Sequence, residues 1–231
     1  MMEMTVEAIV PAAGAGLRMG GDVRKQFMAL GGEPMFIHTL RRLASSPLIQ
    51  RIILAAPEEE LGPAQAAVDR AELPKPCKVV AGGATRQESV AMAFGHLDPA
   101  TELVMVHDGV RPFVTKELVE QVAMAAAKVG AATAACRARD TLKKERDGRL
   151  AESISRDGVV HIHTPQCFRH AILAEALEKA EIDSATATDE SSLVQRMGMD
   201  VAVVDSPYWN IKVTTAEDMT LAEALEKAMR G

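Results

Sequence analysis

The chain has 231 residues, 48% of them hydrophobic and 25% charged, which is typical of a globular protein with a sizeable core. Its 32 acidic and 26 basic residues give a formal net charge of −6, which disfavours a general nucleic-acid binder, because such proteins present a basic face. No apolar run is long enough to cross a bilayer and no basic residue precedes Arg18, so we expect neither a membrane span nor a signal peptide.

The three cysteines, Cys77, Cys136 and Cys167, lie far apart and show no C-x-x-C spacing. A scattered, odd set of cysteines suits reduced thiols better than a disulfide or zinc framework. The sequence therefore predicts a cytoplasmic protein.

Short apolar segments alternate with helical patterns along most of the chain. The predicted strands are Val6–Val10, Arg51–Ala56, Val79–Ala81, Leu103–Val106, Ala131–Cys136 and Val201–Val204. The predicted helices are Pro34–Ser45, Glu58–Ala71, Arg86–Leu97, Lys116–Lys128, Arg169–Ala180, Glu190–Met197 and Ala216–Met229. This alternation predicts an α/β fold with a mostly parallel sheet and helices on both faces, in a single domain over residues 1–231.

The alternation stops over about residues 138–163. This stretch is charged and carries Asp147-Gly148, a favourable hairpin turn, between two short extended pieces. We interpret it as a projecting β-arm. Because an isolated hairpin is poorly supported, we expect the arm to pack on a second subunit.

A loop of small residues, Pro11–Gly20, follows the first predicted strand. Such a loop exposes backbone N–H groups at the carboxyl end of the strand, where ligands of parallel sheets bind, and Arg18 and Lys25 add two cations. An ordinary glycine turn explains this segment alone about equally well. A dinucleotide fingerprint does not fit, because Met19 stands in place of the third glycine and no ribose-binding acid ends the second strand.

Two further segments follow predicted strands. The first, Gly82–Ser89, offers backbone amides and the Ser89 hydroxyl, although a plain turn with a helix cap is the better explanation of this segment taken alone. The second, His107–Pro112, places Asp108 and Arg111 at the ligand-binding edge, where the carboxylate suits Mg²⁺ or a ligand hydroxyl and the guanidinium suits a phosphate. The alternative for this pair is a structural ion pair.

His161 and His163 alternate, so on a strand they share one face. A solvated strand face is favoured over a metal site, because the sequence offers no third ligand nearby. Arg156, Thr164-Pro165-Gln166 and Asn210–Thr214 are further candidates, each with a solvated charge or a turn as the alternative.

Taken in order, these segments resemble the 2-C-methyl-D-erythritol 4-phosphate cytidylyltransferases of the non-mevalonate isoprenoid pathway, over Ala8 to Leu225. The most specific matches are Pro11–Arg18 with Lys25-Gln26, His107-Asp108-x-x-Arg111-Pro112, Thr164-Pro165-Gln166, Thr188-Asp189-Glu190 and Asn210–Thr214. The resemblance implies a Rossmann-like nucleotidyltransferase sheet, a homodimer joined through β-arms, a Mg²⁺ requirement and CTP as a substrate.

The resemblance also implies roles for individual residues. Arg18 and Lys25 are expected to stabilise the transition state at the α-phosphate of CTP, while Arg156 and Lys212 are expected to position the acceptor phosphate. The residues expected to bind the nucleotide are Ala12, Ala13, Gly14, Ala15, Gly16, Gly83, Ala84 and Ser89. Those expected to contact the sugar phosphate or its surroundings are Asp108, Arg111, Thr141, Thr164 and Thr188, with Asp108 as a candidate metal ligand.

One departure is Gly109-Val110, where many members of that family have two alanines. It leaves a cytidylyltransferase for another alditol phosphate, such as ribitol 5-phosphate, as the alternative enzyme, although Thr188-Asp189-Glu190 favours the methylerythritol family. A non-catalytic nucleotide sensor would have little need for Arg18, Lys25, Arg156 and Lys212 together.

Overall fold

The computed structural model describes residues 4–14 and 25–230, with Lys25 and Arg230 described by their backbone alone. The strands are β1 Val6–Pro11, β2 Ala29–Leu30, β3 Glu33–Pro34, β4 Ile49–Ala56, β5 Cys77–Ala81, β6 Leu103–Val106, β7 Ala131–Arg137, β8 Leu142–Arg146, β9 Arg149–Ile154, β10 Val160–Arg169 and β11 Ala202–Asp205. The α-helices are α1 Met35–Ala44, α2 Leu61–Arg70, α3 Arg86–Phe94, α4 Lys116–Val129, α5 His170–Ile182, α6 Glu190–Arg196 and α7 Ala216–Arg230.

The main sheet of the described residues has the strand order β11-β7-β10-β6-β1-β4-β5. All neighbouring pairs are parallel except those of β10, which runs antiparallel to both β6 and β7. The mostly parallel α/β sheet predicted from the sequence is confirmed. Strand β10 is not among the strands predicted from the sequence.

Helices cover both faces of the sheet, and the alternation of side chains along each strand decides which helices they meet. Val10 and Leu54 pack towards one face, in a core shared with α1, α2 and α4. Ile9 and Ile53 point to the other face, in a core shared with α3, α5 and α6. A smaller third core joins α7 to β2 and to the segment that follows β6.

Local sequence signals fix where the helices begin and end. Thr85 caps α3 through a reciprocal capping box with Glu88, and Thr115 caps α4 by accepting a hydrogen bond from Leu118 N. At the other end of α4, Gly130 adopts φ +106°, a conformation that glycine tolerates best. These caps set the loops between strands and helices, and the candidate site is built from those loops.

Among the described strands, β8 and β9 pair with each other alone, as a hairpin whose turn is Asp147-Gly148. Every residue of β9 is exposed, including Leu150, which is 74% exposed, and Ile154. The last residues of the predicted arm are not part of this hairpin, because Val160–Ile162 pair with β7 in the main sheet. In the described part of the chain, no helix combines the length and the apolar composition needed to cross a membrane.

Candidate active site

Two loops of small residues meet at the carboxyl ends of β1 and β5. A Cβ placed on Gly82 would lie 2.4 Å from the Ala13 Cβ and 2.9 Å from the Ser89 Oγ. The buried Gln26 side chain donates hydrogen bonds to the carbonyl oxygens of Ala12 and Gly14, which fixes the described end of the first loop. The close contact between the loops therefore depends on a glycine at position 82.

Most of the described nucleotide-binding candidates lie on this pair of loops. Ala12 and Ala13 are buried, whereas Gly14 and Ala84 are exposed. Ser89 is fully buried, and its hydroxyl lies 2.8 Å from the Thr85 carbonyl oxygen, so it stabilises the second loop from inside. Three candidates, Ala15, Gly16 and Arg18, lie outside the described residues, and the Lys25 side chain is likewise not described.

Asp108 is the centre of a charged cluster just beyond β6. Its carboxylate is buried and contacts three cations: Arg86 Nε lies 2.9 Å from Oδ1, Lys212 Nζ lies 2.9 Å from Oδ2, and Arg111 Nε lies 3.4 Å from Oδ2. Burial alone would raise the pKa of this carboxyl, but the three cations hold it well below its usual range. Asp108 is therefore ionised and binds these side chains together.

Arg86 connects the cluster to the start of α6. Its Nη1 donates to both carboxylate oxygens of Glu190, at 2.7 and 2.9 Å, while its Nε binds Asp108. Burial raises the pKa of the Glu190 carboxyl, and the neighbouring guanidinium opposes this shift. Arg86 itself is held protonated, because the two carboxylates outweigh the effect of burial and raise its pKa. A charge network thus runs from Glu190 through Arg86 to Asp108.

Arg111 and Lys212 connect the segment that follows β11 to the Asp108 cluster. Arg111 Nη1 donates to the Asn210 carbonyl oxygen at 2.8 Å, so this guanidinium is fixed on both sides. Lys212 is more accessible, with a side chain 38% exposed. Of the three cations, Lys212 is the one that can most easily turn from Asp108 to an incoming anion.

A network of buried hydrogen bonds holds the backbone and side chains of the charged cluster in place. The Thr164 hydroxyl accepts from Asp108 N at 3.0 Å and lies 3.0 Å from His107 Nδ1, and His107 Nε2 lies 3.1 Å from the Arg111 carbonyl oxygen. Asn210 Nδ2 donates to the Thr164 carbonyl oxygen. Burial lowers the pKa of His107 to about 4. His107 is therefore neutral at pH 7 and acts as a support rather than as a cation.

Gln166 links this network to the cap of α6. Its side-chain amide donates to Asp189 Oδ2 at 2.7 Å, and its carbonyl oxygen accepts from Ser191 N at 3.0 Å. Asp189 also accepts hydrogen bonds from the hydroxyls of Ser191 and Ser192, and these contacts lower the pKa of its carboxyl despite burial. The carboxylate at the cap is thus fully engaged within the protein.

The charged cluster opens into a cavity of about 320 Å³. Its lining includes Arg86, Asp108, Arg111, Ile162, His163, Thr164, Gln166, Thr188, Asp189, Ser192 and Lys212. A neighbouring cavity of about 390 Å³ shares Arg111, Ile162, His163 and Lys212 with it. The predicted residues Asp108, Arg111, Thr164, Thr188 and Lys212 therefore meet at one place, although they are distant in sequence.

Two of the residues predicted to serve the acceptor lie apart from these cavities. Thr141 is exposed just before β8, and Arg156 is exposed just after β9, where its Nη1 donates to the Arg139 carbonyl oxygen at 2.6 Å. Neither is among the described residues that line either cavity. Within a single chain, the structure does not bring them to the cluster.

His161 and His163 find no third metal ligand among the residues that the structure describes. The described residues contain no group of three or more His, Cys, Asp or Glu side chains placed to hold a metal ion. His161 is exposed, and His163 Nδ1 lies 3.0 Å from the Ser206 hydroxyl. Burial lowers the pKa of His163 to about 4, with Arg111 adding to the shift.

The sequence model of one family, described as IspD, 2-C-methyl-D-erythritol 4-phosphate cytidylyltransferase, matches residues 6–227. The chain belongs to this family. Among curated relatives, the 2-C-methyl-D-erythritol 4-phosphate cytidylyltransferase of Bacillus cereus is 40% identical over 216 residues, covering 94% of this chain and 95% of the relative. The enzyme of the same name from Syntrophus aciditrophicus is 40% identical over 232 residues, covering 100% of this chain and 99% of the relative.

Solved structures of the cytidylyltransferase family share the fold. The crystal structure of the 4-diphosphocytidyl-2C-methyl-D-erythritol synthase from Anaerococcus prevotii superposes with a TM-score of 0.85 at 31% identity, covering 97% of this chain and 99% of that chain. The 2-C-methyl-D-erythritol 4-phosphate cytidylyltransferase from Thermus thermophilus superposes with a TM-score of 0.79 at 33% identity, covering 98% and 100%.

The structure adds residues to the site for which the sequence analysis proposed no role. Arg86 and Glu190 complete the charge network, Gln166 and Asp189 fix the cap of α6, and Asn210 holds Arg111. All five stand in segments that the sequence analysis singled out. Their pairing was not evident, since the residues that contact each other are far apart in the chain.

The described side chains of this protein are poorly suited to hold a Mg²⁺ ion. Both oxygens of Asp108 already contact cations, and the nearby Asp189 and Glu190 carboxylates are bound by serine hydroxyls and by Arg86. Mg²⁺ prefers one or two free carboxylates together with water and substrate phosphates. The candidate role of Asp108 as a metal ligand is thus not supported by its contacts.

Proposed function

We propose that this chain transfers the CMP group of CTP to 2-C-methyl-D-erythritol 4-phosphate, giving 4-diphosphocytidyl-2-C-methyl-D-erythritol and pyrophosphate, a step in the supply of isoprenoid precursors. The observation that carries the proposal is the Asp108 cluster, in which three cations meet at the carboxyl end of β6, beside the two small-residue loops. Membership of the cytidylyltransferase family supports the same reaction. No observation favours ribitol 5-phosphate as the acceptor.

The reaction needs no general base. A phosphate monoester has its second pKa at about 6, so the acceptor phosphate is already an anion at pH 7. One of its oxygens attacks the α-phosphorus of CTP, the bond from that phosphorus to the bridging oxygen breaks, and pyrophosphate leaves with the electron pair. This agrees with a site in which the buried His107 is neutral and bound to structural partners.

The main difficulty is to bring two anions together, and phosphoryl-type transfer is catalysed mainly by positioning and charge stabilisation. We assign Lys212 and Arg111 to the acceptor phosphate, with Asp108 holding both cations in place. Thr188 lines the same cavity and is suited to the acceptor's hydroxyls, whereas the Thr164 hydroxyl is engaged with Asp108 and His107 and shapes the cavity wall. Arg18 and Lys25 keep their proposed role at the α-phosphate, which rests on the resemblance of their segment.

The two small-residue loops are assigned to the cytidine part of CTP. Their described residues offer backbone groups and methyl-sized side chains, and the contact between Gly82 and Ala13 leaves little room between the loops. Backbone amides and small side chains around the base favour a compact pyrimidine over a larger purine by steric fit. We therefore propose that the selection of CTP rests on shape and backbone hydrogen bonds.

We further propose that the enzyme is a homodimer joined through the β8–β9 hairpin. The hairpin exposes Leu150 and Ile154, and Thr141 and Arg156 stand at its base. A two-stranded ribbon is marginally stable in isolation, so packing on a second subunit would bury its apolar side chains. In such a dimer, Thr141 and Arg156 would complete the acceptor site of the other subunit. Light scattering that gives a strict monomer at working concentrations would contradict this proposal.

A divalent cation, Mg²⁺, remains part of the proposal as a partner of CTP rather than of the protein. The described carboxylates of the cluster are engaged, whereas triphosphate oxygens are ligands that Mg²⁺ favours. We place the reaction in the cytoplasm, because the three cysteines are free thiols and such thiols suit a reducing compartment.

Pyrophosphate release tests the proposed function. The purified enzyme with CTP and Mg²⁺ should release pyrophosphate with 2-C-methyl-D-erythritol 4-phosphate and much less with ribitol 5-phosphate or glycerol phosphate. Replacement of CTP by ATP or GTP should abolish most turnover. Faster release with ribitol 5-phosphate would assign the enzyme to the alternative acceptor, and CTP binding without release would indicate a sensor.

A further inference from the structure

One side chain of α3 holds the backbone of the segment that precedes α6. Gln87 Nε2 donates to the Ala185 carbonyl oxygen at 3.0 Å, and Gln87 Oε1 accepts from Ala187 N at 3.0 Å. Both ends of a single amide are thus used on one short stretch of backbone. Two such bonds fix the direction of that stretch as well as its distance from α3.

The preceding residue of α3 holds the other end of the same segment. Arg86 Nη1 binds both carboxylate oxygens of Glu190. Consecutive residues of α3 therefore hold residues 185–187 on one side and Glu190 on the other. Only Thr188 and Asp189 lie between the two fixed points, so their positions depend on both.

Thr188 and Asp189 are the part of this segment that lines the cavity assigned to the acceptor. Asp189 is also held by Gln166 and by the serine hydroxyls at the start of α6. Among the described residues, Thr188 has no comparable set of hydrogen-bond partners, so its placement relies on the fixed segments on either side of it. A change at Gln87 should therefore move Thr188 more than it moves the rest of the cavity.

We propose that Gln87 is a positioning residue for the acceptor substrate: it holds residues 185–187 so that Thr188 faces the bound sugar phosphate. The inference rests on the proposed function, because it takes the cavity beside Asp108 as the acceptor site. Gln87 does not line that cavity and acts through the backbone it binds.

The substitution Gln87→Met tests the proposal, because methionine keeps the size of the side chain and removes both hydrogen bonds. We expect the KM for 2-C-methyl-D-erythritol 4-phosphate to rise about fivefold, from the typical contribution of one to two hydrogen bonds. The KM for CTP should stay within about twofold of the wild-type value. Gln65→Met is the matched control, since the Gln65 side chain donates to Asp69 Oδ1 on the exposed side of α2, within one helix.

A second variant, Gln87→Glu, keeps an acceptor for Ala187 N but cannot donate to the Ala185 carbonyl oxygen, so it should also raise the acceptor KM. If the wild-type enzyme is active and both variants keep its KM for the acceptor, the inference about Gln87 is wrong, whereas the proposed function still holds. An equal rise in the two KM values would overturn it as well, since it would show a general loss of structure. Absence of wild-type turnover with this substrate pair would refute the proposed function and the inference with it.

Discussion

The nucleotide side and the acceptor side of the candidate site are formed by different kinds of chemical groups. The nucleotide side, formed by residues 12–14 and 82–85, consists of backbone and small side chains that meet at the ends of parallel strands. The acceptor side, formed around Asp108, consists of charged side chains that hold one another, with Arg86 and Lys212 as partners of the same carboxylate. The first depends on shape and the second on charge.

This difference predicts which changes each side will tolerate. The loops at residues 12–14 and 82–85 carry no titratable side chain, so removal of a charge from the Asp108 cluster should leave them intact. An added methyl group should disturb them, because the gap between them is already narrow. The acceptor side should respond in the opposite way, since its geometry comes from ion pairs.

Removal of the accessible cation on the acceptor side should have the largest effect. We expect Lys212→Met to lower kcat/KM by about 10² to 10³, because groups that stabilise charge in the transition state typically contribute this much. Steady-state pyrophosphate release measures the change. The control is Lys179→Met, which removes an exposed lysine paired with Glu175 on α5. A loss below fivefold in Lys212→Met would remove Lys212 from the acceptor site.

An added methyl group should have a smaller effect, confined to the nucleotide side. In Gly82→Ala the new Cβ would lie 2.4 Å from the Ala13 Cβ, so the two loops must move apart. We expect the KM for CTP to rise about tenfold, as for a misfit of roughly 1.4 kcal/mol, while the acceptor KM changes little.

Gly62→Ala on α2 is the matched control, since a Cβ there lies more than 4 Å from the atoms of the other described residues outside its own helical turn. It should retain wild-type kinetics and gain slightly in stability, because alanine is the better helix former. A rise in acceptor KM equal to the rise in CTP KM in Gly82→Ala would show that the two sides are not independent.

The sequence predicted the regular parts of the fold well, because their signals are local. The apolar run Leu103–Val106 and the helix with Thr115 before it and Gly130 after it agree with the structure. Strand β10 was missed because Pro165 interrupts it, and proline normally argues against a central strand. The structure accommodates it by a register shift between Ile162 and Gln166, which leaves Pro165 outside the ladder.

The sequence predicted only part of the acceptor side, because some of its contacts join residues that are close in the chain and others join residues that are far apart. Asp108 and Arg111 stand three residues apart after an apolar strand, so the chain itself indicates a charged pair. Arg86 and Glu190 are 104 residues apart, and nothing in either segment indicates that they meet. Only the order of strands in the sheet, with β10 inserted beside β6, brings α6 close to α3.

The pH dependence of the free energy of unfolding should also distinguish the acceptor side from the nucleotide side. Its expected effect is smaller than those of Lys212→Met and Gly82→Ala. The pKa of His107 falls to about 4 in the folded protein, from an ordinary value of about 6.5, so between these pH values the unfolded state binds more protons. The stability that neutral His107 contributes is therefore complete above pH 6.5 and is lost as the pH falls towards 4. From pH 7 to 5.5 the expected loss is about 1 kcal/mol.

Urea unfolding of the wild type and of His107→Gln at both pH values measures this loss, and the variant should lose about 1 kcal/mol less. His163 has a similarly lowered pKa but is present in both proteins, so its contribution cancels in the comparison. If His107→Gln shows the same pH dependence as the wild type, burial does not keep His107 neutral, and the acceptor side then contains a further cation beside Asp108 and Arg111.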